Sequence, residues 1–136
     1  MKYLLLFMAC VISSKACSCL PFSSLEEEFC FSEWVSHVRA TGRVRQNSTG
    51  FRPYYIYGIE HIKMYKNPSN TTNLPNRVYT ATQSAACGIT LRNNTEYLLG
   101  GRVDDNGTLF SNLCGLHREW RTVSAADRAN LSSYAC

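Results

Sequence analysis

Seven cysteines restrict what this chain can fold into more than any other feature. Cys10 lies in a stretch set apart from the rest. Met1-Lys2 is a short basic start, residues 3–12 are continuously apolar, and Ser14-Lys15-Ala16 closes the run with small residues at its first and last positions. That is the pattern of a secretory signal peptide cleaved after Ala16. As a membrane anchor the run is too short, since a span needs about 20 apolar residues, and no other stretch approaches that length. The sequence therefore predicts a signal peptide at residues 1–16 and one domain at residues 17–136. Removal of Cys10 leaves an even set: Cys17, Cys19, Cys30, Cys87, Cys114 and Cys136. In a secreted chain such a set reads as three disulfides, and counting leaves all 15 pairings open.

Charge and sequons fit secretion. The formal net charge is +4, and loss of Lys2 and Lys15 lowers it to +2. The arginines are scattered, which argues against a nucleic-acid partner. Sequons occur at Asn47, Asn70, Asn93, Asn106 and Asn130, whereas Pro68 disqualifies Asn67. Glycans there require surface positions.

Along the domain, Ser24 caps a predicted short helix reaching residue 31, with Glu26, Glu27 and Glu28 in its first turn. Strands are predicted at 35–44, 54–66, 78–82, 89–92, 97–103 and 108–111, the second bent at Gly58. Asn47-Ser48-Thr49-Gly50 and Asp105-Asn106-Gly107 are turn signals, and residues 67–76 form a polar loop. A final helix begins near Ser124, with Asp127 three residues on as in a capping box. Short strands bracketed by two helices predict a small closed β-barrel, mainly β with flanking helices.

No catalytic constellation stands out. His37, His61 and His117 lack metal-ligand spacing and read as ordinary core or surface residues. Trp34 and Trp120 read as core aromatics. There is no Ser-His-Asp set and no glycine-rich phosphate loop. Aromatics and arginines interleave over residues 51–57, a pattern that also serves single-stranded nucleic acid. Secretion argues against that use.

The segment Cys17-Ser18-Cys19-Leu20-Pro21 resembles the start of the tissue inhibitors of metalloproteinases. Phe29-Cys30, the run Ile62-Lys63-Met64-Tyr65-Lys66, and Cys114, Trp120, Ser124, Ala126 and Arg128 extend the likeness over residues 17–136. It implies a five-stranded OB-fold barrel of the netrin-like type. It also implies the pairs Cys17 with Cys87, Cys19 with Cys114, and Cys30 with Cys136. A bridge from Cys17 to Cys87 closes a loop of about 71 residues, worth roughly 4 kcal/mol in the chain-entropy model. The family's second, smaller cysteine-rich subdomain has no counterpart in residues 17–136, which narrows the expected action to the protease cleft. The likeness breaks at Phe22-Ser23-Ser24 and again at residues 83–86, where side chains are small.

By this resemblance the protein is not an enzyme but an extracellular monomer forming 1:1 complexes with zinc metalloproteinases, matrix metalloproteinases or their relatives. It needs no cofactor of its own. The amine and carbonyl of Cys17 chelate the protease's catalytic zinc. Ser18 enters the adjoining specificity pocket, and Cys19, Leu20 and Pro21 follow the cleft. Ala85, Ala86 and Cys87 add a second contact. Extracellular matrix is a further partner. The alternative is a netrin-like binding module without protease inhibition.

Overall fold

The computed structural model describes residues 17–47, 54–68 and 72–136. The signal peptide expected at residues 1–16, residues 48–50 of the first turn and the Asn70 sequon lie outside them.

Helix α1 (Leu25–Phe31) begins where Ser24 Oγ accepts the Glu27 amide at 3.2 Å, and it ends at Ser32, whose amide bonds back to Glu28 and Phe29. The strands are β1 (Trp34–Asn47), β2 (Tyr54–Lys66), β3 (Arg77–Ala81), β4 (Glu96–Val103), β5 (Leu109–Phe110) and β6 (His117–Glu119). Single 3-10 turns occupy Ser84–Ala86 and Trp120–Thr122. Helix α2 (Ala125–Asn130) is capped by Ser124, whose hydroxyl accepts the Asp127 amide at 3.1 Å.

The sheet runs β1-β2-β3-β5-β4-β6, and β1 also pairs with β4. Five strands thus close on themselves, giving the five-stranded OB-type barrel, while β6 hangs outside the ring on β4. All pairings are antiparallel except β3 with β5, where Val78 faces Leu109 and Tyr79 faces Phe110. Closure needs a bent β1. Its register against β2 shifts between Ala40 and Gly42, and Gly42 has a φ of 126°, which a side chain would resist. Gly58, the predicted bend of β2, lies opposite Gly42.

Alternation along β1 and β4 separates two cores. Trp34, Val38, Tyr97 and Leu99 point into the barrel with Tyr57, Ile59, Val78 and Leu109. Val35 and Leu98 point outward, beneath Leu25 and Phe29 of α1 and Leu131 beyond α2. Both faces of β4 are therefore buried, and its apolar run is continuous. The Arg118–Glu28 ion pair at 3.0 Å ties β6 to α1.

Two expectations need correction, and one strand is new. Residues 89–92 are not a strand. Ile89 and Leu91 are buried in the barrel core, but the Ile89 amide bonds to Thr80 Oγ1 at 2.9 Å and the Arg92 amide to the Tyr97 hydroxyl at 2.8 Å. Side chains take these two amides in place of a neighbouring strand, and no ladder forms. Strand β6 was not foreseen; its three residues are all half-buried and carry no alternation. Trp120 is only half-buried: its ring stacks on His37 at 3.6 Å and lies under Arg128 at 4.5 Å.

The other histidines are structural too. His61 Nδ1 shares a hydrogen bond with Ser36 Oγ at 2.8 Å, and His37 Nε2 pairs with Glu96 at 2.7 Å. His117 stacks on Tyr97, and its Nε2 is buried without a partner among the described residues. Burial holds the imidazoles of His117 and His37 below their usual value, with Glu119 and Glu96 respectively opposing the shift.

Candidate functional site

Residues 17–21 form no regular structure. Cys17 is half-buried, and Ser18, Cys19, Leu20 and Pro21 are exposed, Leu20 at 90%. Proline and two bridged cysteines explain why this strip joins no sheet. It is nevertheless anchored at both ends. Past Pro21, the amide and hydroxyl of Ser23 both donate to Glu27 at 2.6 Å, which fixes the strip to the start of α1. These bonds, the hydroxyl's first, hold the Glu27 carboxyl below its ordinary value.

Two disulfides secure the strip itself. Cys17 is bonded to Cys87 and Cys19 to Cys114, with Cα separations of 5.0 and 5.1 Å. The third, Cys30 to Cys136, joins the end of α1 to the C-terminal residues at 5.3 Å. These are the pairs that the resemblance implies. Because β3 and β5 run parallel, the loops that follow them leave the same end of the barrel, and these loops carry Cys87 and Cys114. Across them the Leu113 amide bonds to the Cys87 carbonyl at 2.9 Å, and within the second loop Asn112 Oδ1 accepts the Cys114 amide at 2.8 Å.

The loop before Cys87 turns tightly. The Ala86 amide bonds to the Gln83 carbonyl at 3.1 Å, leaving Ala85 and Ala86 exposed. Cys87 has a φ of 62°, unusual for a residue with a side chain. Gly88 then presses against β3 so closely that a Cβ there would fall on the Ala81 carbonyl. Ser18, Cys19, Leu20, Pro21, Ala85 and Ala86 are thus all exposed, on the strip and on one of the two loops that staple it. Leu113, 46% exposed between Cys87 and Cys114, joins them. The sequence does not single it out, because only the bridge to Cys19 and the bond to Cys87 bring it to the strip.

The sulfurs of Cys17, Cys19, Cys87 and Cys114 lie within 4.8 Å of one another. A thiolate tetrad at this spacing would suit zinc, but these sulfurs are consumed in two disulfides and offer no thiolate. With its sulfur bridged, Cys17 keeps only its backbone nitrogen and carbonyl oxygen as unbridged heteroatoms.

Asn93, Asn106 and Asn130 are exposed, in turns or at the end of α2. Asn47 is the last residue of β1.

Fold and site together define a class: an OB-type barrel that carries an exposed peptide edge, stapled by disulfides to the loops at one end. A family model described as "Tissue inhibitor of metalloproteinase" matches residues 15–135. The chain is 36% identical over 110 residues to the "Putative metalloproteinase inhibitor tag-225" of Caenorhabditis elegans, covering 74% of this chain and 66% of that protein. It is 31% identical to the "Metalloproteinase inhibitor 2" of the dog, over 86% and 54% of the two chains, and 29% identical to the human protein of that name, over 95% and 60%. The chain belongs to the tissue inhibitor of metalloproteinase family. It spans between 54% and 66% of the length of these relatives. Among the described residues no helix is long and apolar enough to cross a membrane.

Proposed function

We propose that this protein is a secreted, reversible inhibitor of zinc metalloendopeptidases of the matrix metalloproteinase type, and that it acts through residues 17–21. The observation that carries this reading is an exposed, irregular strip fastened by two disulfides to one end of a rigid barrel. The named activity of the relatives supports it.

The chemistry begins with cleavage after Ala16, which frees the α-amine of Cys17. A catalytic zinc keeps one position open for water. The neutral amine and the carbonyl of one residue reach a metal together as a five-membered chelate, displacing the water that attacks the peptide bond. No covalent bond forms, so inhibition is reversible. Ser18 then enters the pocket beside the zinc. Cys19, Leu20 and Pro21 lie along the cleft like a product peptide, while Ala85, Ala86 and Cys87 form the second contact and Leu113 a third. The bridges hold the strip in one conformation before binding, which reduces the entropy lost on association. The complex is 1:1. Glycans on Asn93, Asn106 and Asn130, and on the sequons at Asn47 and Asn70, belong to the same secreted reading.

One extra alanine before Cys17 tests the mechanism. It moves the charged amine away from the carbonyl while leaving the barrel intact, and inhibition is expected to vanish. An extended protein that inhibits as well as the native one rules out chelation. Because an ordinary α-amine titrates just above neutrality and must be neutral to bind zinc, inhibition weakens as pH falls, after correction for the protease's own pH profile.

A further inference from the structure

Beside the strip the barrel surface opens into a cleft of about 560 Å³, within the range of about 300–1,000 Å³ in which proteins commonly receive ligands. Tyr54, Tyr79 and Phe110 form an aromatic triangle there, with ring centroids 5.7 to 6.4 Å apart. The Arg102 guanidinium lies over the Phe110 ring at 5.0 Å. Arg102 is exposed, and no carboxylate pairs with it among the described residues. The strip side of the lining is Ala86 and Asn112. Ala86 precedes Cys87, and Asn112 accepts the Cys114 amide, so the cleft is continuous with both loops that staple the strip.

We propose that this cleft is a secondary docking site for the target metalloproteinase, receiving an acidic side chain from a surface loop of the bound enzyme. The proposal rests on the inhibitor reading above. A protease held at Cys17 stands over Ala86, next to the cleft mouth. A partner side chain entering there meets aromatic faces along its stem and, at its tip, a guanidinium that has no acidic partner among the described residues. A carboxylate on a short apolar stem satisfies both, because it pairs with the arginine and buries its methylenes against Tyr54 and Phe110. The cleft then selects among proteases by the loop they present, while Cys17 acts on any open zinc site.

Inhibition constants for native protein, Arg102→Glu, Arg102→Gln and Tyr54→Ala are compared against one matrix-type catalytic domain, with a short peptide substrate. The alanine-extended protein runs in parallel. Arg102→Glu is expected to weaken inhibition about tenfold at low salt, with Arg102→Gln intermediate and Tyr54→Ala about fivefold. The gap between native and Arg102→Glu narrows as salt rises. Thermal unfolding checks each fold, and the two exposed Arg102 variants carry the test should Tyr54→Ala be unstable. If both Arg102 variants match native within about twofold while the extended protein fails to inhibit, the cleft proposal falls and chelation stands. If native protein inhibits no protease, the inhibitor reading fails and takes the cleft with it. If native protein sediments as a dimer that Arg102→Glu disperses, the occupant is a second copy and the proposal is overturned.

Discussion

At the strip end, two disulfides hold a segment that buries little: residues 18–21 are all exposed and belong to no sheet. On the helix-covered face, Cys30–Cys136 joins a region already packed, with Leu25, Phe29, Val35, Leu98, Leu116, Val123 and Leu131 in one buried cluster. The bond is the same and the loops it closes are similarly long, with sequence separations of 70, 95 and 106 residues. Chain entropy grows only with the logarithm of loop length, so those separations differ by about 0.4 kcal/mol in stabilisation. Stability therefore does not distinguish the bridges. What differs is the surrounding structure: packing defines the conformation of the helical face without its bridge, whereas among the described residues the strip is held by its bridges and, just past Pro21, by the Ser23–Glu27 bonds and the Phe22–Phe31 ring contact.

Removing bridges tests that contrast most severely. Cys19→Ser with Cys114→Ser and Cys30→Ser with Cys136→Ser should each cost up to about 4.7 kcal/mol in urea unfolding. Inhibition should part them. Freeing residues 18–21 restores backbone entropy of roughly 1–2 kcal/mol per residue, so the strip variant should inhibit about 100-fold or more weakly. The helical-face variant should stay within about threefold of native wherever it is folded. Equal losses of inhibition would erase the distinction between the two regions.

Two leucines repeat the comparison at smaller scale. Leu131 is 1% exposed and Leu20 is 90% exposed. Leu131→Ala should cost about 3 kcal/mol of stability and leave inhibition unchanged in folded protein. Leu20→Ala should change stability by less than about 0.5 kcal/mol yet weaken inhibition several-fold. Ser24→Ala, at the junction of strip and helix, should cost about 1 kcal/mol.

The smallest effect is titration of the barrel. Burial keeps the folded His117 imidazole below its ordinary value, so at neutral pH both folded and unfolded forms are neutral. As pH falls, the unfolded chain takes up its proton first, and stability declines until the folded imidazole protonates as well. The urea midpoint should therefore drop as pH falls below about 7 through the ordinary imidazole range, and His117→Phe should flatten that slope. A strip variant such as Leu20→Ala should leave it unchanged.

The same contrast governs what the residues reveal before folding. Strand β2 is legible to the residue, because tyrosine and isoleucine recur along it from Tyr54 to Tyr65. The caps at Ser24 and Ser124 are legible because the hydroxyl and its target lie three residues apart. Residues 89–92 mislead because burial of Ile89 and Leu91 mimics a strand, while the amides bond to side chains the local pattern does not reveal. The parallel β3–β5 pairing is settled by barrel closure, and β6 by its pairing to β4 outside the ring. At the site, residues 17–21 and the flanking cysteines are visible through their motif. Leu113 and the cleft around Tyr54, Phe110 and Arg102 are not, since they meet only when three strands and a bridged loop come together.

The parallel pairing of β3 with β5 also sets a clock. It brings the Cys87 and Cys114 loops to one end of the barrel, and Cys114 is made 95 residues after Cys19. At roughly 5–20 residues per second of synthesis, the opening thiols wait about 5 to 20 seconds for their partners. Through that interval Cys30 is the next thiol to emerge, only 11 residues beyond Cys19. The earliest residues of the domain are thus among the last to be locked, and a chain oxidised too soon reaches the finished barrel with its edge already misassigned.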